Sequence, residues 1–347
     1  MEFKDTLVDE GISVIQALAQ LDKNSKKVLF VIKEDRLVAA LTDGDIRRWI
    51  LSKGSLDATI SEFANYHPKF LAENEKARAK AFMQQERIDA LPIVNGAMQI
   101  VDMVFMFDDE KSQNTPTVTL PVVIMAGGRG TRLYPYTKIL PKPLIPIGDI
   151  PIVEHIINNF RRFGCHDFYL VVNEKRNMIK AYFNEIQKDY TVTYVDESTP
   201  LGTGGGLSLL KGMIHSTFIL SNCDILIDAD YEKIHQLHVN SGHMVTMVCS
   251  LKTFTIPYGV VDIGENGSIE VMREKPNLTY FTNTGCYFVE PEVIEDLQPN
   301  TSISFPDIID RCKLKGHKVG VFPVNEHAWM DMGQLDGMEE MRARLEK

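Results

Sequence analysis

The chain has 347 residues, enough for two or three domains and a large buried core. Hydrophobic residues make up 44% and charged residues 24%, which is ordinary for a soluble globular protein. The net charge of −10, without any basic stripe, argues against a duplex-DNA binder, and no nucleic-acid partner is expected.

The five cysteines, at 165, 223, 249, 286 and 312, form no C-x-x-C pair, and their number is odd. They read as reduced thiols filling a core in a cytosolic protein. The N-terminus MEFKDTLVDEG is polar and acidic, unlike a signal peptide, and no apolar run reaches the roughly 20 residues of a membrane span. The expected location is the cytoplasm, with no membrane partner.

Residues 1–114 show an internal repeat, about 1–60 and 61–110. Leu29-Phe30-Val31-Ile32 parallels Leu91-Pro92-Ile93-Val94, and LVAALTDGD from Leu37 parallels IVDMVFMFD from Ile100. A helical stripe precedes each copy: Ile12, Ile15, Leu18 and Leu21 in the first, Ala77, Ala81 and Ile88 in the second. Each copy is therefore helix, strand, turn, strand and a helix or its remnant, a small α+β unit. The arrangement resembles a tandem CBS-domain pair. The resemblance implies a regulatory nucleotide whose ribose and phosphate are held by Thr42 and Asp45 of Ala40-Leu41-Thr42-Asp43-Gly44-Asp45. In the second copy Phe105 stands where the hydroxyl belongs, and only Asp108 is retained. The alternative is that Thr42 and Asp45 only cap a helix starting near Ile46. CBS pairs commonly associate, so a homodimer is expected.

Residues 109–118, DEKSQNTPTV, are polar and aperiodic and contain Pro116, as a linker does. From 119 to 347 strands and helices alternate, which predicts a Rossmann-like, doubly wound α/β sheet. Strands are predicted at 121–126, 167–172, 191–195, 217–222, 244–250, 258–263, 269–274, 284–289 and 317–324. Ile152, Ile156, Phe160 and Phe163 mark a helix over 152–163, with Pro151 before it and Gly164 after it. Glu265-Asn266-Gly267-Ser268 reads as a hairpin turn, which makes the sheet mixed. An amphipathic helix is predicted over Leu335–Leu345.

The first of these strands runs into Gly127, Gly128 and Gly130, with Arg129 and Arg132 beside them and Lys142 between Pro141 and Pro143. Glycines let backbone N–H groups approach a phosphate, and the cations neutralise it. The string contains neither a Walker G-x-x-x-x-G-K-[ST] nor a G-x-G-x-x-G, since Leu133 occupies the third glycine's place. Asp224 follows an apolar strand, where a carboxylate suits Mg²⁺.

The run G-G-x-G-T-R-L-x-P-x-T followed by P-K-P resembles the sugar-1-phosphate nucleotidyltransferases, with their GT-A-like fold. That resemblance implies attack of a sugar-1-phosphate on the α-phosphorus of a nucleoside triphosphate, with Mg²⁺ or Mn²⁺ as cofactor. It implies Arg132, Lys142, Arg129 and Asp224 as catalytic residues and Asp224 with Asp331, in Trp329-Met330-Asp331-Met332-Gly333, as metal ligands. It places Ala126, Gly127, Gly128, Glu197, Gly202 and Thr203 at the nucleotide, and Gly259, Glu274, Lys275 and Asn283 at the sugar phosphate. Asp228 and Asp230 read as turn or cap residues, and an Arg273–Glu274 surface pair is the alternative for Glu274.

Uridylyl- and thymidylyltransferases of the family tend to have glutamine near Glu197. A carboxylate only accepts, which suits the paired N1–H and N2–H donors of guanine. The fusion of a CBS pair to this domain resembles the guanylyltransferases of bacterial nonulosonic (legionaminic) acid pathways, which implies glucosamine-1-phosphate. Transfer of another nucleotide, or a non-catalytic nucleotide sensor, are the rival expectations.

Overall fold

Residues 3–24, 28–86, 88–105 and 118–345 are described by the computed structural model, and the chain divides into two units, Met1–Asn114 and Thr115–Lys347. The expected linker, apart from Val118, and Asp108 lie outside the described residues.

In the first unit β1 (Leu7–Asp9), α1 (Val14–Asn24), β2 (Val28–Lys33), β3 (Arg36–Thr42) and α2 (Asp43–Leu51) precede β4 (Leu71–Ala72), α3 (Ala79–Glu86), β5 (Ala90–Val94) and β6 (Ile100–Phe105). Two three-stranded sheets repeat one pattern, β1-β2-β3 and β4-β5-β6. In each, the first pair is parallel and the second antiparallel, with a register shift at Val31/Ile32 and again at Ile93/Val94. Phe30 and Leu37 of one repeat pack with Ala90, Val94 and Met103 of the other, and Phe105 joins that cluster.

Two stripes differ from expectation. In α1 the buried face is Val14, Ala17, Leu18 and Leu21, with Ile12 before the helix and Ile15 half-buried. In α3 it is Ala79 and Met83, not Ala77 and Ala81, which are exposed. Glu73–Arg78 forms a 3₁₀ turn ahead of α3, so a stripe counted at 3.6 residues per turn falls out of phase.

Helix α2 starts at Asp43, three residues earlier than expected, and Thr42 rather than Asp45 is its N-cap. Thr42 Oγ1 accepts from the Asp45 N–H at 3.2 Å, and Asp45 Oδ2 accepts from the Thr42 N–H at 2.8 Å. The two side chains also hydrogen-bond each other at 2.6 Å, and Asp45 pairs with Arg48. This is a reciprocal capping box.

In the second unit β7 (Val122–Met125) leads to α4 (Tyr136–Ile139), the short pair β8 (Pro146–Ile147) and β9 (Ile150–Pro151), and α5 (Ile152–Arg161). Then come β10 (Asp167–Val172), α6 (Arg176–Glu185), β11 (Thr191–Asp196), α7 (Gly202–Gly205), β12 (Phe218–Asn222), β13 (Ile225–Ile227) and α8 (Tyr231–Ser241). Next are β14 (Val245–Thr255), the hairpin β15 (Val260–Ile263) and β16 (Ile269–Arg273), β17 (Asn277–Val289) and α9 (Glu292–Glu295). The unit closes with α10 (Phe305–Leu314), β18 (Val319–Val324), β19 (Trp329–Asp331) and α11 (Leu335–Leu345).

The central sheet has the order β11-β10-β7-β12-β17-β14-β18, and β17 is antiparallel to both of its neighbours. Alternate residues of β7 face opposite layers: Val122 and Ile124 enter one core, which α5 covers through Ile152, Ile156 and Phe160. Val123 enters the other, which α10 covers through Phe305, Ile308 and Ile309. Both faces are thus sealed by helices, as a parallel sheet requires. From β7 the chain winds one way to β10 and β11 and returns the other way to β12, so the crevice beyond β7 and β12 is the topological switch point.

Strands β14 and β17 run well past the predicted 244–250 and 284–289. The added residues pair from Leu251↔Phe281 to Thr255↔Asn277, and most are exposed, so they lack the apolar run that marks a buried strand. Among the described residues no helix is long and apolar enough to cross a membrane.

Candidate active site

The strand–loop junction after β7 places the glycine loop at the switch point. The Ala126 N–H still donates to the Val171 carbonyl at 2.8 Å, so the loop leaves the sheet only at Gly127. A Cβ at Gly127 would stand 2.8 Å from Glu197 Oε2 and 3.2 Å from Asn173 Cβ. Gly130 has φ +63°, and a Cβ there would meet Thr137 and Lys142 at 2.9 and 3.2 Å. Gly128 faces open space. Arg129 and Arg132 are exposed on this loop.

Lys142 is buried on the 3₁₀ turn Lys142–Leu144 and forms an ion pair with the buried carboxylate of Asp224. Asp224 stands between β12 and β13. The antiparallel pairing of β13 with β19 sets Ile225 opposite Asp331, and the Met332 N–H donates to the Asp224 carbonyl at 2.8 Å. Two acids distant in sequence thereby become neighbours. Burial and the Asp224 charge raise the Asp331 carboxyl above its ordinary value, against the pull of the Gly333 N–H, Lys142 and Arg132. The Gly333 N–H reaches Asp331 Oδ1 at 2.7 Å. A Cβ at Gly333 would stand 2.9 Å from that oxygen.

Arg132, Thr203, Asn222, Asp224, Asn283 and Asp331 all line one cleft of about 280 Å³. Asn283 faces it because Thr284 and Gly285 bulge out of β17 opposite Val248/Cys249. Its Oδ1 accepts from the Gly285 N–H at 3.0 Å, and its Nδ2 donates to the Tyr287 hydroxyl at 2.6 Å.

Two neighbouring carboxylates are a hard-oxygen donor set of repelling charges, which suits Mg²⁺ or Mn²⁺. Among the described residues no group of three or more His, Cys, Asp or Glu side chains gathers to hold a metal. An ion held by Asp224 and Asp331 would complete its shell with phosphate and water oxygens, as Mg²⁺ commonly does.

Glu197 follows β11 and is 4% exposed. Its carboxylate is wedged between the two glycine loops: a Cβ at Gly206 would stand 2.5 Å from Oε1, as one at Gly127 would from Oε2 at 2.8 Å. Oε1 has no hydrogen-bond partner. Burial raises the Glu197 carboxyl, partly offset by the Asn173 amide and the Leu201 backbone. The Gly202–Gly205 glycines answer to packing: the Gly204 N–H donates to the Ile303 carbonyl at 3.0 Å, and a Cβ at Gly202 would stand 2.7 Å from that oxygen. Thr203 Oγ1 accepts from the Phe305 N–H at 3.1 Å.

The remaining expected residues lie apart from the cleft lining. Gly259 and Glu274 face each other across the β15–β16 hairpin, where a Cβ at Gly259 would stand 3.1 Å from Glu274 Oε2. Lys275 follows at φ +44°. Arg273 pairs with Asp262 at 2.6 Å across the hairpin, so the alternative Arg273–Glu274 pair is not the one formed. Asp230 caps α8, accepting from the Lys233 N–H at 3.1 Å. Sequence reasoning passed over Asn222 and Asn173. Each sits at the carboxyl end of a parallel strand, where ligands of such sheets bind, and that position was the available signal.

The family model described as Nucleotidyl transferase matches residues 121–347. The mannose-1-phosphate guanyltransferase of Saccharomyces cerevisiae is 31% identical over 226 residues, covering 61% of this chain and 61% of that protein. The chain thus spans about three-fifths of that relative's length. Among solved structures, HddC from Yersinia pseudotuberculosis superposes with a TM-score of 0.52 at 24% identity, over 65% of this chain and 99% of that one. Its complex with GMP-PN gives 0.51 at the same identity and coverage. These two likenesses concern the fold. With the family model spanning its whole second unit from Pro121 onward, the chain belongs to the nucleotidyl transferase family.

Proposed function

We propose that the protein transfers a nucleoside monophosphate, GMP by preference, from a nucleoside triphosphate to a sugar-1-phosphate, releasing pyrophosphate. The observation behind this reading is the convergence of Arg132, Asp224 and Asp331 on one cleft at the switch point, with Lys142 paired to Asp224. An oxygen of the sugar phosphate forms a bond to the α-phosphorus as the bond to the pyrophosphate oxygen breaks in line. Arg132 and Lys142 offset the negative charge that this displacement spreads over the phosphate oxygens. Asp224 and Asp331 would hold a divalent cation, which when bound supplies further charge neutralisation. A pure nucleotide sensor has no need of this carboxylate pair.

Preference for guanine rests on Glu197, a buried acceptor with an unspent oxygen. It agrees with the guanyltransferase name of the yeast relative and the GMP-PN in the HddC complex. Glucosamine-1-phosphate is the favoured sugar from the resemblance of the two-unit arrangement, and mannose-1-phosphate is the competitor from the relative's name. The first unit, with its repeated sheet pattern, we read as a CBS-type pair taking a nucleotide at Thr42 and Asp45.

Pyrophosphate release measured for ATP, GTP, CTP, UTP and dTTP against a panel of sugar-1-phosphates tests the reading. GTP should lead, and Glu197→Gln should shift the kcat/KM ratio toward UTP or dTTP, since a site built for particular donors rejects analogues lacking them. Equal use of UTP and GTP by the wild type refutes the guanine assignment. No turnover with any pair refutes the enzyme.

A further inference from the structure

Asn173 follows β10 as Glu197 follows β11. The register Val172↔Asp196 and the Glu197 N–H donating to the Val172 carbonyl at 2.9 Å put the two residues side by side on neighbouring parallel strands. In-register residues of parallel strands project to the same face. Both flank Gly127, and both line a pocket of about 380 Å³. Asn173 Nδ2 and Glu197 Oε1 share a rarer property: each is enclosed, and although the Asn173 amide lies near enough to the carboxylate to lower its pKa, neither atom makes a hydrogen bond of ordinary length. Unmade bonds of this kind cost stability and are uncommon, so a neighbouring donor and acceptor left unspent point to a ligand that completes both.

Guanine presents an acceptor and two donors along one edge: O6, N1–H and N2–H. Glu197 can accept from both donors, which leaves O6 in want of a donor. We infer that Asn173 is a second specificity residue, its Nδ2 donating to guanine O6 while Glu197 accepts from N1–H and N2–H. This inference rests on the guanylyltransferase reading above. Adenine reverses the pattern, with N1 an acceptor facing the carboxylate. Uracil meets it with one donor and a repelling carbonyl. Asn173 thus separates guanine from bases that Glu197 alone distinguishes less sharply. The two atoms are covered in the free chain, so contact with a base requires both side chains to turn into the pocket they line.

Two analogues separate the edges. 6-Thio-GTP keeps N1–H and N2–H but has sulfur, a weak acceptor, in place of O6. ITP keeps O6 and N1–H but lacks the N2 amine. kcat/KM is measured for GTP, 6-thio-GTP and ITP with wild type, Asn173→Ala and Asn173→Ser, the last a smaller change should the alanine variant fold poorly. Melting temperature serves as the fold control. Wild type should prefer GTP over both analogues. Asn173→Ala should lower kcat/KM for GTP by about tenfold or more, the worth of a lost hydrogen bond. It should bring the GTP/6-thio-GTP ratio near one and leave the GTP/ITP ratio within about twofold of wild type. If the variant lowers all three nucleotides alike, or collapses the ITP ratio instead, Asn173 supports Glu197 or the fold and the inference is overturned while the guanine reading stands. If the wild type itself does not favour GTP over ATP and UTP, the guanine reading fails and takes the inference with it.

Discussion

Lys142, Asp224 and Asp331 form an unequal triad, because one buried ammonium faces two carboxylates. Neutralising either acid should lower kcat on the order of 10²-fold, as loss of a charge clamp does elsewhere. The two should differ in stability. Asp224→Asn leaves Lys142 buried without its partner and should destabilise the catalytic unit on the order of 3 kcal/mol. Asp331→Asn removes the repelled charge and keeps an Oδ1 for the Gly333 N–H, so its melting temperature in EDTA should equal or exceed that of wild type. The sign follows from linkage. The folded Asp331 pKa lies above its ordinary 3.8, so the charged form costs stability at neutral pH, and that cost disappears as pH falls below 3.8. Thermal unfolding of both variants between pH 4 and 8 checks this, and a large loss for Asp331→Asn at pH 7 contradicts it.

At the scale of elements, a buried polar network ties α8 to the sheet. His238 is fully buried, with Nδ1 2.8 Å from Thr246 Oγ1 at the start of β14 and Nε2 2.8 Å from Glu290 Oε1 just past β17. The Thr217 hydroxyl donates to the same Glu290 oxygen at 2.8 Å, ahead of β12. Three strands are thus pinned to one helix, at the ends of the strands opposite Asp224. His238→Ala empties a cavity and removes one hydrogen bond from each of Thr246 and Glu290, which keep His243 and Thr217, so it should cost about 3 kcal/mol. Denaturant titration should show the loss, with kcat/KM per folded molecule near that of wild type. A fall in turnover without loss of stability would show that this end of the sheet communicates with the cleft.

At the scale of the whole chain, among the described residues the buried clusters on both faces of the central sheet draw on residues from Val118 onward. A fragment Thr115–Lys347 should therefore fold and release pyrophosphate with the same nucleotide preference as the full chain. Circular dichroism and the nucleotide panel test this. An insoluble or inactive fragment would mean that the catalytic unit depends on Met1–Asn114.

Much of the second unit was legible because its signals are local. Apolar runs such as Val122–Met125 and 168–172 mark strands buried on both faces, and the stripe through Ile152, Ile156 and Phe160 marks α5. The 127–143 run holds together in sequence because one loop forms it. The limits of that legibility were also physical. The exposed continuation of β14 and β17 has no burial to pattern it. The stripes of α1 and α3 slip because a helix start and a 3₁₀ turn shift their phase. The sequence alone determined the alternation of strands and helices and the chemical types available: glycines, cations and carboxylates after strands. Only the tertiary structure decided which of them meet. The three-residue ladder of β13 with β19 makes Asp224 and Asp331 neighbours, and the parallel register of β10 with β11 sets Asn173 beside Glu197. Such pairings are fixed by contacts between distant segments, and no local pattern of apolar and polar residues encodes them.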